Sequence, residues 1–440
     1  MILAPTLTLS AGSGAAIARP TFSRDFAGEK TLNNGTGPSI TFTRASIGTF
    51  FDANGVLQTA AANVPRFDHS GGNSLGLLIE EARTNSIRNS QAGGSTSGVI
   101  GSGGVMPTNG WSISANANGI TSEIIGTGTE DGLAYIDIKV SGTPTSTSFM
   151  FIADESSSQV VAANGQVWTH SAYIKLQAGA ATNAVTQINI AGRLSDGGVI
   201  AGQTNPVTFT PTSSALKTQR RTTTITFSDA TVVRAAPLIT VSYTNGNAID
   251  LTLRIAAPQL EQGAFPTSYI PTTSAAVTRS ADSAIVNPIS SFYNASEGTL
   301  FAEATPKTES LHNGYQRVLL TANDNTDLNQ ITIGQGGSGN LDKLVFVSFI
   351  NAGGGTAEMF GGSGIAGSTQ KAAGAYKASD FAFSVNGGAV DTEASGSPAS
   401  GITHLFIGRR PADGFVSGHI RRIAYFPKRL SNALLQSLTT

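Results

Sequence analysis

The chain has 440 residues, a net charge of −1 and only 12% charged residues, about half the share in ordinary soluble proteins. Such a length predicts two or three domains, and the balanced charge argues against a nucleic-acid or membrane-surface partner. Cysteine is absent, which excludes a disulfide framework, a thiol nucleophile and thiolate metal sites, while 40% hydrophobic residues suffice for packed cores.

The chain opens MILAPTLTLSAGSGAAIARP. It lacks a basic start and a long apolar stretch, so no signal peptide is expected. No run of about 18 apolar residues follows, so no membrane-spanning helix or membrane insertion is expected. Glycine supplies 51 residues, and Ser with Thr roughly a fifth of the chain, above ordinary usage. Thr suits strands through its branched Cβ. Gly and Asn tolerate the positive φ of tight turns. Asn-Gly pairs begin at Asn34, Asn54, Asn109, Asn118, Asn164, Asn245, Asn313 and Asn386, and such pairs between apolar runs signal hairpins.

Residues 1–90 are Gly-rich with short apolar patches at Ile40-Thr41-Phe42 and Phe50-Phe51. Residues 77–89 (LLIEEARTNSIRN) suit either a short helix or a strand and loop. Strict alternation then begins. Ile136, Ile138 and Val140 face one way, Asp137 and Lys139 the other. Ile239, Val241 and Tyr243 alternate with Thr240 and Ser242, and Ile249, Leu251, Leu253 and Ile255 with Asp250, Thr252 and Arg254. Residues 341–350 are apolar on both faces around Val345, Phe346 and Val347, as in a central strand of a sandwich. Phe381, Phe383 and Val385 run into Asn386-Gly387-Gly388, a predicted hairpin. Residues 431–438 (SNALLQSL) predict a closing helix with Ser431 as N-cap. The chain thus divides into an N-terminal region (1–90), a run of strands long enough for one jelly-roll-sized sandwich (91–282) and a second sandwich (283–440). A weak echo joins ITFTRAS at 40–46 to AAVTRSA at 275–281. It is either chance or a sign that the middle region is inserted between pieces that lie together.

Four stretches carry a resemblance: residues 41–69 (TFTRASIGTFFDANGVLQTAAANVPRFDH) with 75–85 (LGLLIEEARTN), 258–282 (PQLEQGAFPTSYIPTTSAAVTRSAD), 401–438 (GITHLFIGRRPADGFVSGHIRRIAYFPKRLSNALLQSL), and 165–179 (GQVWTHSAYIKLQAG). Together they resemble virion proteins of tailed bacteriophages and prophages, of the tail-fibre, spike and host-adhesion type. The resemblance implies an all-β fold of two antiparallel sandwiches after an N-terminal attachment region: a carbohydrate-binding-like jelly roll, then a concanavalin A-like (laminin G-like) domain. It implies a virion component, made in the host cytoplasm and exposed on the particle. Its partners are other virion proteins through the N-terminal region, further copies of itself (a trimer by family habit) and a host-surface glycan. It implies no cofactor and no catalytic motif.

The residues themselves carry little enzymatic signal. His69, His170, His312, His404 and His419 show no metal-ligand spacing. His170 shares strand parity with Trp168 and Ala172, a packing pattern. Adjacent Glu80 and Glu81 point different ways on a strand or helix and do not jointly flank a glycosidic bond; one solvated carboxylate and one paired with Arg83 or Arg88 is expected. The oxygen-rich stretch from Asn323 through Asp327 to Asn329 reads as a polar turn. Calcium is the alternative, but Leu328 stands where the loop glycine belongs. Trp111, Trp168, Tyr173, Tyr243 and Tyr376 are candidates for sugar stacking; parity places Trp168 in the core and leaves Tyr173 on the opposite face. Gly353 to Gly355 and Gly361 to Gly364 lack the Lys and helix of a phosphate loop. Arg409-Arg410 and Arg421-Arg422 are the densest basic spots, each pair expected to face opposite ways and to serve salt bridges or subunit contacts rather than nucleic acid. The expected function is a non-enzymatic adhesin, with no metal and no cofactor. A structural capsid-decoration or head-fibre role and a glycan-cleaving enzyme are the alternatives.

Overall fold

In the computed structural model, which describes residues 19–307, 317–336, 344–363 and 367–440, alternation becomes burial. Ile136, Ile138 and Val140 are fully buried along the Leu133–Gly142 strand, and Ile249, Leu251, Leu253 and Ile255 along Ile249–Gln262. Two such strands pair antiparallel, Ile138 opposite Leu253, so their apolar faces coincide. The protein is all-β, built as two antiparallel sandwiches in two compact units.

One unit comprises residues 55–59 and 82–279. Its first sheet runs Arg220–Thr226, Val167–Ala180, Ile249–Gln262, Leu133–Gly142, Ile120–Glu130, Gly98–Ile100 and Gly103–Gly104. The second runs Ser112–Ile113, Ser148–Ala153, Arg234–Tyr243, Ala184–Arg193 and Val199–Thr204, with Val160–Val161 and Val207–Phe209 paired alongside. Ile138, Ile174 and Leu253 of the first sheet meet Ile152, Ile188 and Ile239 of the second in one core. Asn85 closes the edge of this unit. Its amide donates to the carbonyls of Pro258 and Ile270, and its oxygen accepts from the amides of Ile87 and Leu260, which uses its whole hydrogen-bonding capacity.

The other unit comprises residues 1–54, 60–81 and 280–440. Its eight-stranded sheet runs Asp391–Glu393, Phe381–Val385, Gln370–Lys377, Glu297–Pro306, Gly418–Phe426, Asn73–Ile79 and Phe67–Ser70, and Phe22–Asp25 also pairs with Gly418–Phe426. The facing sheet runs Thr41–Thr43, Ser283–Val286, His404–Ile407, Arg317–Asn323, Gln330–Gln335, Leu344–Asn351 and Gly354–Ser363. Leu300, Ile423 and Leu77 pack against Leu320, Ile333 and Val347 between them. Residues 77–85 resolve into strands, Asn73–Ile79 and Arg83–Asn85. The closing helix is present as Asn432–Thr439. Ser431 accepts the amide of Leu434, and Leu435 and Leu438 pack on Phe301 and Ala424 of the sheet's outer face. Residues 22–79, set apart by sequence reasoning, supply strands to this same sandwich: Phe22 lies opposite Tyr425 and Phe42 opposite Ala284. Pairing over such separations leaves no local pattern to read. The first eighteen residues, His312 and Asn313 lie outside the described residues.

Residues from the resemblance-bearing stretches 41–69, 75–85 and 258–282 converge in the interior of this unit. Arg44, Arg66, Glu80 and Asp282 are all fully buried. Asp282 accepts Arg44 Nη1 at 3.1 Å and Arg66 Nη2 at 2.6 Å; Arg66 Nη2 also reaches Glu80 at 3.0 Å, and Lys307 Nζ reaches Glu80 at 3.0 Å. The two residues are tied again in the same place: the Glu80 amide donates to the Asp282 carboxylate Oδ2, and the Asp282 amide donates to the Glu80 carbonyl, each at 2.9 Å. Burial pushes the Arg66 guanidinium down, and Asp282 and Glu80 more than reverse it, so its pKa rises. The pairing expected of Arg88 is corrected, since Arg88 binds Glu155; Glu80 serves Arg66 and Lys307, and Glu81 lies 3.9 Å from Arg317.

Two predictions follow from these buried charges. Asp282→Asn keeps the volume but strips the shared anion from two buried guanidiniums. Stability is expected to fall by about 3–5 kcal/mol, read as a shifted urea midpoint; an unshifted midpoint contradicts the network. The second concerns His419, buried with Nε2 3.0 Å from Asp68. Burial lowers its pKa more than Asp68 raises it. The unfolded chain then takes up a proton below about pH 6.5 that the folded chain refuses. This contribution is whole above that pH and shrinks as the pH falls through it. Thermal melting is expected to drop from pH 7.5 to 5.5, and to drop less in His419→Gln; equal slopes refute the assignment.

Candidate functional site

The aromatic residues that sequence reasoning offers for sugar stacking are all buried. Trp111 and Trp168 lie in the cores, donating from Nε1 to Asn89 O at 2.7 Å and Gln166 Oε1 at 3.0 Å. Tyr243 belongs to the core of its sandwich. Tyr376 is enclosed, its hydroxyl 2.6 Å from Asn294 O and 2.8 Å from the Tyr425 hydroxyl. Tyr173 does face away from Trp168's side but is buried beneath the Arg220 guanidinium, 5.6 Å from the ring centre. The free face expected for it is covered.

The exposed aromatics are instead Phe149 and Phe151, 58% and 36% accessible, on the Ser148–Ala153 strand. Met150 and Ile152 of that strand point into the core, so the two Phe rings share the outer face of the sheet. Residues directly opposite one another share a face, and the registers define its rows. Phe149 lies beside Ser242 and Val185. Phe151 lies beside Thr240, Gln187 and Thr208. Ala153 lies beside Leu238 and Asn189, but Ala153 and Leu238 are buried together with Ala191, so only Asn189 of this row is open. The polar members are already oriented: Thr240 donates to Gln187 Oε1, Gln187 Nε2 donates to Thr208, and Thr204 donates to Asn189 Oδ1 at 2.8 Å. Asn189 Nδ2 has no partner among the described residues. Beside Phe149 a cleft of about 140 Å³ opens, bounded by Ser114, Asn116, Asn118 and Tyr243. These three rows carry no charge; the strand ends beyond them place Arg193 opposite Arg234. The face therefore offers two aromatic surfaces beside amide and hydroxyl groups, the equipment for a ligand with an apolar face and a hydroxylated edge.

The other candidates are occupied. His170 is buried, Nε2 2.8 Å from Asp154 and Nδ1 2.9 Å from Asn189 O. His69 meets Phe51 O, and His404 meets Thr403 and stacks on Phe406, burial lowering its pKa. In the Asn323-to-Asn329 turn, the Asp324 carboxylate accepts from Thr326 and Asn329, and Asn323 Oδ1 accepts the Asn325 amide. No group of three potential metal-ligating His, Asp or Glu occurs among the described residues. Gly353 follows Ala352 through a tight turn at φ 77° and 53°. Arg410 pairs with Asp413 at 2.8 Å, and Arg409 lies over Phe415. Arg421 and Arg422 do not face opposite ways: both reach Glu303, at 3.1 and 2.5 Å.

No protein-family model matches the chain, and no curated protein matches it. Among solved structures it is similar to the carbohydrate-binding module of the Ruminococcus gnavus IT-sialidase bound to α2,3-sialyllactose (15% identity, 35% of this chain and 91% of that one, TM-score 0.28). It is similar to domain 4 of AbnA, a Geobacillus stearothermophilus extracellular arabinanase, with arabinotriose (11%, 40% and 82%, 0.29). It is also similar to domains LG4-5 of the mouse laminin α1 chain (10%, 61% and 85%, 0.21). These identities and TM-scores are too low to bear on ligand or role.

Proposed function

We propose that the chain is a non-enzymatic adhesin that holds a surface glycan on the outer face bearing Phe149 and Phe151, as a tail-fibre or spike-like subunit of a tailed-bacteriophage particle. The observation that carries the binding reading is the two exposed rings set beside uncharged Gln187, Asn189 and Thr240. A pyranose has an apolar C–H face and a hydroxyl rim. The rings suit the first, and amides that donate and accept suit the second. The virion reading rests on the sequence resemblance of residues 41–85, 258–282 and 401–438. Attachment through the N-terminal region, self-association and synthesis in a host cytoplasm belong to the same proposal, which contains no catalytic step.

A second reading has one observation in its favour. Phe149 and Val185, 58% and 49% accessible in one row, also suit contact with another copy of the chain, as in a decoration or head-fibre subunit.

Phe149→Ser/Phe151→Ser in the full chain tests both readings. Exposed positions of this kind change stability by about 0.5 kcal/mol or less, so melting is expected to stay put. On a glycan array and in host-cell adsorption, binding is expected to fall at least tenfold (about 1.4 kcal/mol). Undiminished binding removes this face as the site. Absent glycan binding by the unaltered chain, with a smaller sedimenting species in the variant, establishes the structural reading instead.

A further inference from the structure

We propose a second binding site, on the sandwich of residues 1–54, 60–81 and 280–440, that takes the carboxylate of an acidic sugar residue of the uronic-acid type. It rests on the glycan reading for the sugar and on local geometry for the carboxylate.

The site is made by one irregularity. Glu303 lies opposite Arg422, but the next residue, Ala304, lies opposite Ile420. Arg421 is the extra residue of a β-bulge. Plain alternation would send Arg421 and Arg422 to opposite faces; the bulge turns both onto one, where each Nε donates to Glu303. Gly76 permits it. At φ 102° a Cβ there would stand 2.3 Å from Ile420 O, so only glycine lets the Asn73–Ile79 strand lie against the bulge. On the other side Asp25 lies opposite Arg422. One row across three strands thus reads carboxylate, guanidinium, carboxylate, with a second guanidinium beside it.

These groups line a cavity of about 540 Å³ with Asn73 and Ser74, within the usual range of ligand pockets. With both Nε atoms committed to Glu303, and Arg421 Nη1 on Ser74 O at 3.3 Å, three guanidinium nitrogens remain. Arg421 Nη2 and both terminal nitrogens of Arg422 have no hydrogen-bond partner among the described residues. The Ser74 hydroxyl is buried in the same lining without a partner. Planar forks call for a planar acceptor, which a carboxylate supplies. Asp25 and Glu303 offset the two cations, so net charge does not draw an anion and a polyanion is disfavoured; the unpartnered guanidinium nitrogens are what would hold a single carboxylate. Glu303 accepts from both guanidiniums.

The probe is trigalacturonate, titrated calorimetrically into the full chain beside its carboxyl-reduced neutral counterpart. The unaltered chain is expected to bind the acid at least tenfold more tightly than the neutral sugar. Phe149→Ser/Phe151→Ser is expected to bind the acid unchanged. Arg421→Gln/Arg422→Gln is expected to lose at least tenfold. Arg422→Lys keeps the charge and loses the fork; it is expected to melt like the unaltered chain and still bind more weakly. No binding of the acid, equal binding of acid and neutral sugar, or unchanged affinity in Arg422→Lys overturns the site. Glycans lost from the aromatic face with trigalacturonate retained would sink the proposed function and leave this site standing.

Discussion

Four buried charges set the terms for the sandwich of residues 1–54, 60–81 and 280–440. Arg44, Arg66, Glu80 and Asp282 come from three separate stretches, and each is tolerable in the interior only when the others are in place. Arg44 and Arg66 share a single anion that arrives only after the chain has run on to residue 282. The pair of hydrogen bonds between Glu80 and Asp282 closes the circuit where the chain departs and returns. The intervening residues must then fold as a sandwich with a core of its own, which their sheets and cluster provide. The resemblance-bearing residues Arg44, Arg66, Glu80 and Asp282 are thus interior cement.

Function falls to the sheet faces that the cores leave over, and the two sandwiches leave different ones. The outer face at Ser148–Ala153 is aromatic and uncharged through its first three rows. The eight-stranded sheet covers part of its outer face with the Asn432–Thr439 helix, over Phe301 and Ala424. Glu303 and Arg422 follow on the same strands, with Arg422 lying over the edge of that cluster 5.9 Å from the Phe301 ring centre. Under the two proposals made above, one chain carries a neutral stacking surface and a charged recess holding two guanidiniums, which would suit mixed neutral and acidic polysaccharide.

Much of this was legible in the sequence where period two was clean. The strands around Ile138, Ile239 and Leu253, the turn at Asn386-Gly387 with positive φ at both positions, and the Ser431-capped helix follow from local pattern alone. The face bearing Phe149 and Phe151 did not. Phe149, Met150, Phe151 and Ile152 are apolar in succession, the mark of a strand buried on both sides. Only the partner strands, polar at Ser242, Thr240, Gln187 and Asn189, show that one side is open, and register across strands is not written locally. The Arg421 bulge was hidden for the same reason: one inserted residue reverses the facing of its neighbour, and nothing in SGHIRRIAYF announces it. Tyr173 shows the converse limit, since parity placed it on the outer side but could not foresee Arg220 lying over it.

If the outer face of the Ser148–Ala153 strand holds the glycan, Phe149 and Phe151 touch the sugar. Ring-labelled phenylalanine NMR of the full chain, titrated with an array-positive glycan, tests it directly. The account predicts that the Phe149 and Phe151 ring signals move in proportion to ligand while those of the buried Phe346 and Phe381 hold still. Stationary Phe149 and Phe151 signals at saturating glycan would contradict it.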